Sequence, residues 1–90
     1  MILEIITPEK TLFKGEVRMV RVPGSAGSFA ILRHHAAIVS TLNAGSIKVL
    51  AANKREFFFE LLDSAIVENH DDCVTILAEN IREILPPKIN

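Results

Sequence analysis

Val22-Pro23-Gly24-Ser25-Ala26-Gly27-Ser28-Phe29-Ala30-Ile31-Leu32-Arg33-His34-His35-Ala36-Ala37 is the stretch whose reading decides the fold. Pro23 fixes a φ suited to the first central position of a reversal and Gly24 tolerates the positive φ that follows, so the pair predicts a tight turn. Gly27 permits a second reversal three residues on. Phe29, Ile31 and Leu32 return the chain to apolar surroundings, Arg33-His34-His35 form a polar rim, and a second apolar run occupies Ala36 to Leu42. A compact loop held between two strands, in so small a chain, is expected to be a contact surface.

On either side of this loop, runs of four to seven residues rich in Ile, Val, Leu and Phe recur between turn signals, which predicts an all-β, antiparallel domain. Ile2 to Ile6 reads as a strand closed by Thr7-Pro8-Glu9-Lys10, because Pro8 has no N–H to give to a ladder. Thr11 to Phe13 reads as short, and Glu16 to Val22 as a strand in which Val17 and Met19 lie on one face and Val20 and Val22 on the other. That phase slip predicts a β-bulge or burial on both faces. Downstream, Ala36 to Leu42 and Ile47 to Ala51 flank Asn43-Ala44-Gly45-Ser46 and are expected to form a hairpin. Glu56 to Leu62, Ala65 to Glu68 and Cys73 to Ala78 complete the strands. Glu79 to Leu85 has room for about one and a half helical turns before Pro86-Pro87 forbids continuation.

Ninety residues with 49% hydrophobic content, five Phe and no Trp or Tyr fit one domain with one aliphatic core. At this size the chain buries roughly 60 to 65% of its unfolded surface. Ten Lys and Arg against eleven Asp and Glu leave no basic stripe, which argues against nucleic acid. Cys73 stands alone and has no internal disulfide partner, and without a signal-peptide pattern the expected compartment is the reducing cytoplasm. No apolar run reaches the 18 or so residues of a membrane span.

Chemistry-bearing patterns are weak. A phosphate cradle at Gly24 to Gly27 requires a helix to follow, and a strand follows instead. His34 and His35, adjacent on a strand, point to opposite faces, and the spacing to His70, Asp71, Asp72 and Cys73 fits no zinc pattern. Cys73 is expected to pack as a small apolar residue, and Asp71-Asp72 to solvate a hairpin tip. Of Phe57-Phe58-Phe59 at least one belongs in the core, since three consecutive strand residues cannot share a face. The residues by themselves give a non-catalytic β-domain presenting one loop.

Leu3 to Val17, then Val22 to Leu32, then His35-Ala36 and Leu42-Asn43-Ala44-Gly45-Ser46-Ile47, resemble the N-terminal β-domain of the epsilon subunit of F-type ATP synthase, and Val74 to Glu79 is similar to its closing strand. The most specific part is the Pro-Gly-x-x-Gly turn followed at family spacing by His-Ala. The resemblance implies a flattened antiparallel β-sandwich over residues 1–85, a short tail over 86–90, and a rotor role without chemistry of its own. It implies no cofactor, metal or small-molecule substrate. Its implied partners are the gamma subunit and the c-ring, with peripheral attachment at the cytoplasmic face of the bacterial inner membrane through the complex alone. Carried over residue by residue, Gly24, Ser25, Ala26, Gly27, Ser28 and Phe29 would face the c-ring, and His35 and Ser40 the gamma subunit.

The chain departs from the family pattern where Ser28 replaces a common acidic residue, where Ala37 and Ala44 replace prolines, and where Asp63-Ser64 replaces Gly-Gly. Full-length members continue into a helical hairpin that nothing after Ile84 encodes. Both a naturally short subunit and a truncated one fit. The reading of a different class is a free-standing β-sandwich that binds or transforms a ligand in a pocket lined by His35, His70 and Cys73, side chains expected instead to be scattered.

Overall fold

The computed structural model describes residues 1–86, and its regular structure there is entirely β. In chain order the strands are β1 (Ile2–Ile6), β2 (Thr11–Gly24), β3 (Gly27–Leu32), β4 (Ile38–Leu42), β5 (Gly45–Ala51), β6 (Glu56–Leu61), β7 (Ala65–His70), β8 (Cys73–Ala78) and β9 (Ile81–Ile84). They build the expected flattened sandwich of short strands. One layer runs β4, β7, β8, β1 and the first half of β2; the other runs β3, the second half of β2, β5, β6 and β9. Of the expected tail over 86–90, residues 87–90 lie outside the described residues.

The long strand β2 joins the layers. Residues 11–16 pair with β1, residues 19–24 with β3, and Val17 to Arg21 with β5, the last with a register shift between Val17 and Met19. This is the bulge that the phase slip predicted: the extra residue, Arg18, lets Val17, Val20 and Val22 all point inward. Such an insertion bends a strand and strengthens its twist, which is how one strand serves two layers. The expected break between Thr11–Phe13 and Glu16–Val22 is absent, because Lys14 and Gly15 stay in register with Glu4 and Leu3.

Alternation places Leu3 and Ile5, Ile47 and Val49, Phe59 and Leu61, Val67, Val74 and Ile76 in one core, each at most 1% exposed. Phe59 is the core residue among the three consecutive Phe. Phe57 shares its phase, and Phe13 meets both rings edge to face at 5.2 and 6.1 Å. Phe58 lies on the outer face with the Lys48 ammonium 5.9 Å from its ring centroid.

Four expectations are corrected. Pro23-Gly24 are the last residues of β2, and the reversal falls on Ser25-Ala26, with Gly24 opposite Gly27 and the positive φ at Gly27. β4 and β5 do not pair: β4 runs against β7 and β5 against β2 and β6, so the Asn43–Ser46 segment passes from one layer to the other. Residues 81–84 form a strand on β6 where a helical turn was expected. The open edge of β6 supplies hydrogen bonds that so short a helix cannot match, since helix nucleation is costly. Lastly, β1 pairs parallel with β8, from Ile2 opposite Cys73 to Ile6 opposite Leu77, a departure from an all-antiparallel sheet.

Candidate functional site

The β2–β3 tip is rigid at its base and open at its end. Gly24 is buried, and a Cβ there would lie 2.6 Å from Cε1 of Phe29 and 2.7 Å from the carbonyl oxygen of Gly27, so glycine is required for space. The Ser25 N–H donates to the carbonyl of Thr41 at 3.0 Å, and the Ser25 and Thr41 hydroxyl oxygens stand 2.7 Å apart. The Asn43 N–H donates to the carbonyl of Pro23 at 2.8 Å. The tip is thereby fastened to the end of β4. Ser25, Ala26, Gly27 and Ser28 are exposed, whereas Phe29 is half-buried against the core. Of the six residues assigned to this surface, four are free to touch a partner and Gly24 and Phe29 hold the shape.

His35 lies at the other end of β3. Six residues of strand at about 3.3 Å each separate the tip from the histidine loop by roughly 20 Å, so the two surfaces are distinct. The loop is a turn, with His34 at φ 62°, and the expected strand geometry at His34-His35 is corrected accordingly. Ser40 lies on β4 between the two ends. Its phase is shared with Ile38 and Leu42, which turn inward, and it is half-buried with its hydroxyl donating to the Thr41 carbonyl at 3.1 Å. Val39 and Thr41 occupy the outward phase.

That outward side of β4, β7, β8 and β1 is apolar for a surface. Thr41, Ile66, Leu77 and Ile6 are cross-strand neighbours in one row, and a groove beside it is lined by Pro8, Ile66 and Leu77. Val39 is 72% exposed, with Ile66 and Leu77 near half. Contiguous exposed apolar area of this kind marks an interaction surface.

His34, His35, His70, Asp71 and Asp72 gather around one shallow depression, a closer grouping than the expected scatter. Cys73 is not part of its lining and is exposed, where core packing was expected. Its outward phase opposite His70 at the start of β8 accounts for this. Among the described residues no group of three His, Cys, Asp or Glu has a metal-holding arrangement. Asp71 and Asp72 both take positive φ, 52° and 58°, the geometry of a two-residue hairpin turn whose twist matches its strands. Asp72 does more than solvate this tip: its carboxylate accepts the His34 N–H at 2.8 Å, with the imidazole Nδ1 3.4 Å away.

The hydrogen bond from the His34 backbone holds the Asp72 carboxyl below its ordinary value; desolvation opposes it, and the His34 imidazole alongside adds a smaller lowering effect. A carboxyl depressed on folding contributes stability that is fully present above its unfolded pKa, about 3.9, and is lost as pH falls through the lower folded value. Asp72→Asn should therefore melt below the unaltered chain at pH 7, with the difference closing below about pH 4, as read by thermal unfolding across that range.

Sequence reasoning did not single out Thr41, Asn43 or Asn69. Asn69 had a visible signal, since β7 places Ala65, Val67 and Asn69 in one inward phase and only the last is polar.

The description "ATP synthase, Delta/Epsilon chain, beta-sandwich domain" belongs to the family whose model matches residues 1–84. The chain is 41% identical over 78 residues to the ATP synthase epsilon chain of Campylobacter hominis and 37% identical over 78 residues to that of Leptospira interrogans. Each alignment covers 87% of this chain and 60% of the relative. The chain thus spans well under two thirds of the length of these curated relatives. Its fold is similar to a chain in the Euglena gracilis mitochondrial ATP synthase OSCP/F1/c-ring structure, with a TM-score of 0.84 at 18% identity over 92% of this chain and 52% of that one. It is also similar to a chain in the Tetrahymena thermophila mitochondrial ATP synthase central stalk/c-ring structure, with a TM-score of 0.73 at 20% identity over 91% and 65%.

Proposed function

Since the chain belongs to the ATP synthase delta/epsilon-chain β-sandwich family, we propose that it is a non-catalytic part of the central stalk of an F-type ATP synthase, linking the gamma subunit to the c-ring. Its work is mechanical: rotation of the proton-driven ring reaches the stalk through a rigid sandwich. The observation that carries this reading is the family match over nearly the whole described chain. Two distinct exposed surfaces at opposite ends of β3 support it, because a coupling piece needs two faces on one stiff body.

In this reading Ser25 to Ser28 meet the polar loops of the c-ring, with Gly24 and Phe29 shaping the tip. His35 and the outward face of β4 meet gamma, Val39 making the contact and Ser40 supporting it from behind, while Thr41 belongs to the tip end through Ser25. The chain is peripheral at the membrane, on its cytoplasmic face, and held there through its partners alone.

Titration of the purified chain with gamma tests this. Binding at micromolar concentration or tighter is expected, and no binding at about 10 μM would remove the reading. His35→Glu should weaken gamma binding about tenfold, whereas Ser28→Arg should leave it unchanged and impair coupling to the membrane sector.

A further inference from the structure

Asn69 is 2% exposed, and its Oδ1 is buried without a hydrogen-bond partner. It occupies the inward phase of β7, where Ala65 and Val67 precede it and Val74 faces it across the hairpin. An apolar residue would suit this position better, since a buried acceptor left without a donor forfeits its hydration and gains nothing in return. What the side chain does in return is specific. Its amide group donates to two consecutive carbonyls of the histidine loop, His35 at 3.2 Å and Ala36 at 3.1 Å.

The rest of the loop is fastened the same way. The His34 N–H is taken by Asp72, and the His35 N–H donates to the Leu32 carbonyl at 3.1 Å. The His35 side chain folds back within 2.8 Å of the Ala36 carbonyl through Nδ1. Exposed loops are ordinarily the first parts of a protein to open locally. This one has its His34 N–H and its His35 and Ala36 carbonyls held by the β7–β8 hairpin and its His35 N–H by the end of β3, so an exposed imidazole is carried on a fastened backbone.

We propose that Asn69 is a positioning residue for the gamma-facing interface: it braces residues 33–37 against β7 and presents His35 in one conformation. The proposal rests on the gamma-facing reading of His35. Preorganised loops bind more tightly because their ordering cost is met before association, and Asn69 meets that cost at the expense of its own orphaned oxygen.

Asn69→Val removes both donors and the orphan acceptor while keeping a strand-compatible shape. Amide hydrogen exchange on the isolated chain and titration with gamma are then read together. The expected result is exchange at the His34 and His35 amides, the hydrogen-bonded N–H groups of the loop that Asn69 braces, rising about tenfold while β5 and β6 amides are unaffected. Alongside it, the gamma Kd should rise about tenfold, carried mainly by faster dissociation. Unchanged loop exchange would overturn the proposal. So would faster loop exchange with an unchanged Kd, because presentation would then be irrelevant to binding. If the unaltered chain fails to bind gamma, the interface reading falls on its own account, and the exchange arm separately decides the brace. Should the valine variant not fold, Asn69→Thr retains a single donor in a β-branched side chain and should give an intermediate rise in both readouts.

Discussion

Gly24→Val is expected to abolish folding, and Gly24→Ala to cost about 2–3 kcal/mol, an overpacking penalty at the upper end of its usual range. A Cβ at this position meets Phe29 at 2.6 Å and the Gly27 carbonyl at 2.7 Å. The ring could move, although Phe29 packs against the core. The carbonyl is backbone, opposite Gly24 in a hairpin of two loop residues, and moving it breaks the pairing that ends β2. The same residue pairs with Leu42, the one contact in register between β2 and β4, so the seam between the layers fails with the tip. For a domain of this size 2–3 kcal/mol lowers Tm by roughly 8–24 °C. Circular dichroism melts of the alanine variant and the soluble yield of the valine variant check both statements.

Phe59→Ala is the second large effect. Phe59 is 1% exposed and the largest of the fully buried side chains, standing opposite Ile47 on one side and Glu83 on the other, with Phe13 edge-on at 6.1 Å. Its removal forfeits transfer free energy and leaves a cavity that β-strands locked on both sides cannot collapse. The expected loss is about 3–5 kcal/mol, much of the stability available to a small domain. Phe58→Ala on the same strand is the matched comparison: its ring is on the outer face under Lys48, and its loss should cost under about 1 kcal/mol. Urea unfolding of the two variants measures the difference, and equal midpoints would contradict the inward and outward assignments.

Periodicity made most of the strands legible, including the bulge at Arg18, because a slip in an alternating pattern has few structural meanings. It could not say which strand pairs with which. Asn43-Ala44-Gly45-Ser46 reads as a hairpin since a reversal does occur there, yet Asn43 is tied to Pro23 and the chain changes layers. Residues 79–85 failed for a related reason: seven residues carry too little local preference to outweigh an available sheet edge beside Phe58 and Leu61. At the site, the tip was visible as a loop, but its lashing to Thr41 depends on residues sixteen positions away. The part played by Asn69 was encoded as one polar letter in an apolar phase. Its partners, His35 and Ala36, are joined to it by the fold and by nothing in the linear pattern.

The parallel seam between β1 and β8 bears on how the molecule comes into being. Ile2 finds its partner at Cys73, so the first strand made must wait for nearly the last before the sheet that holds it can close. Contacts so distant in sequence slow the search for the native state. A ribosome would release most of this polypeptide with β1 paired only to β2 along one side, its other edge bare. Until the strand at residues 73–78 arrives, a growing chain would be exposed to sticking to its neighbours through that edge.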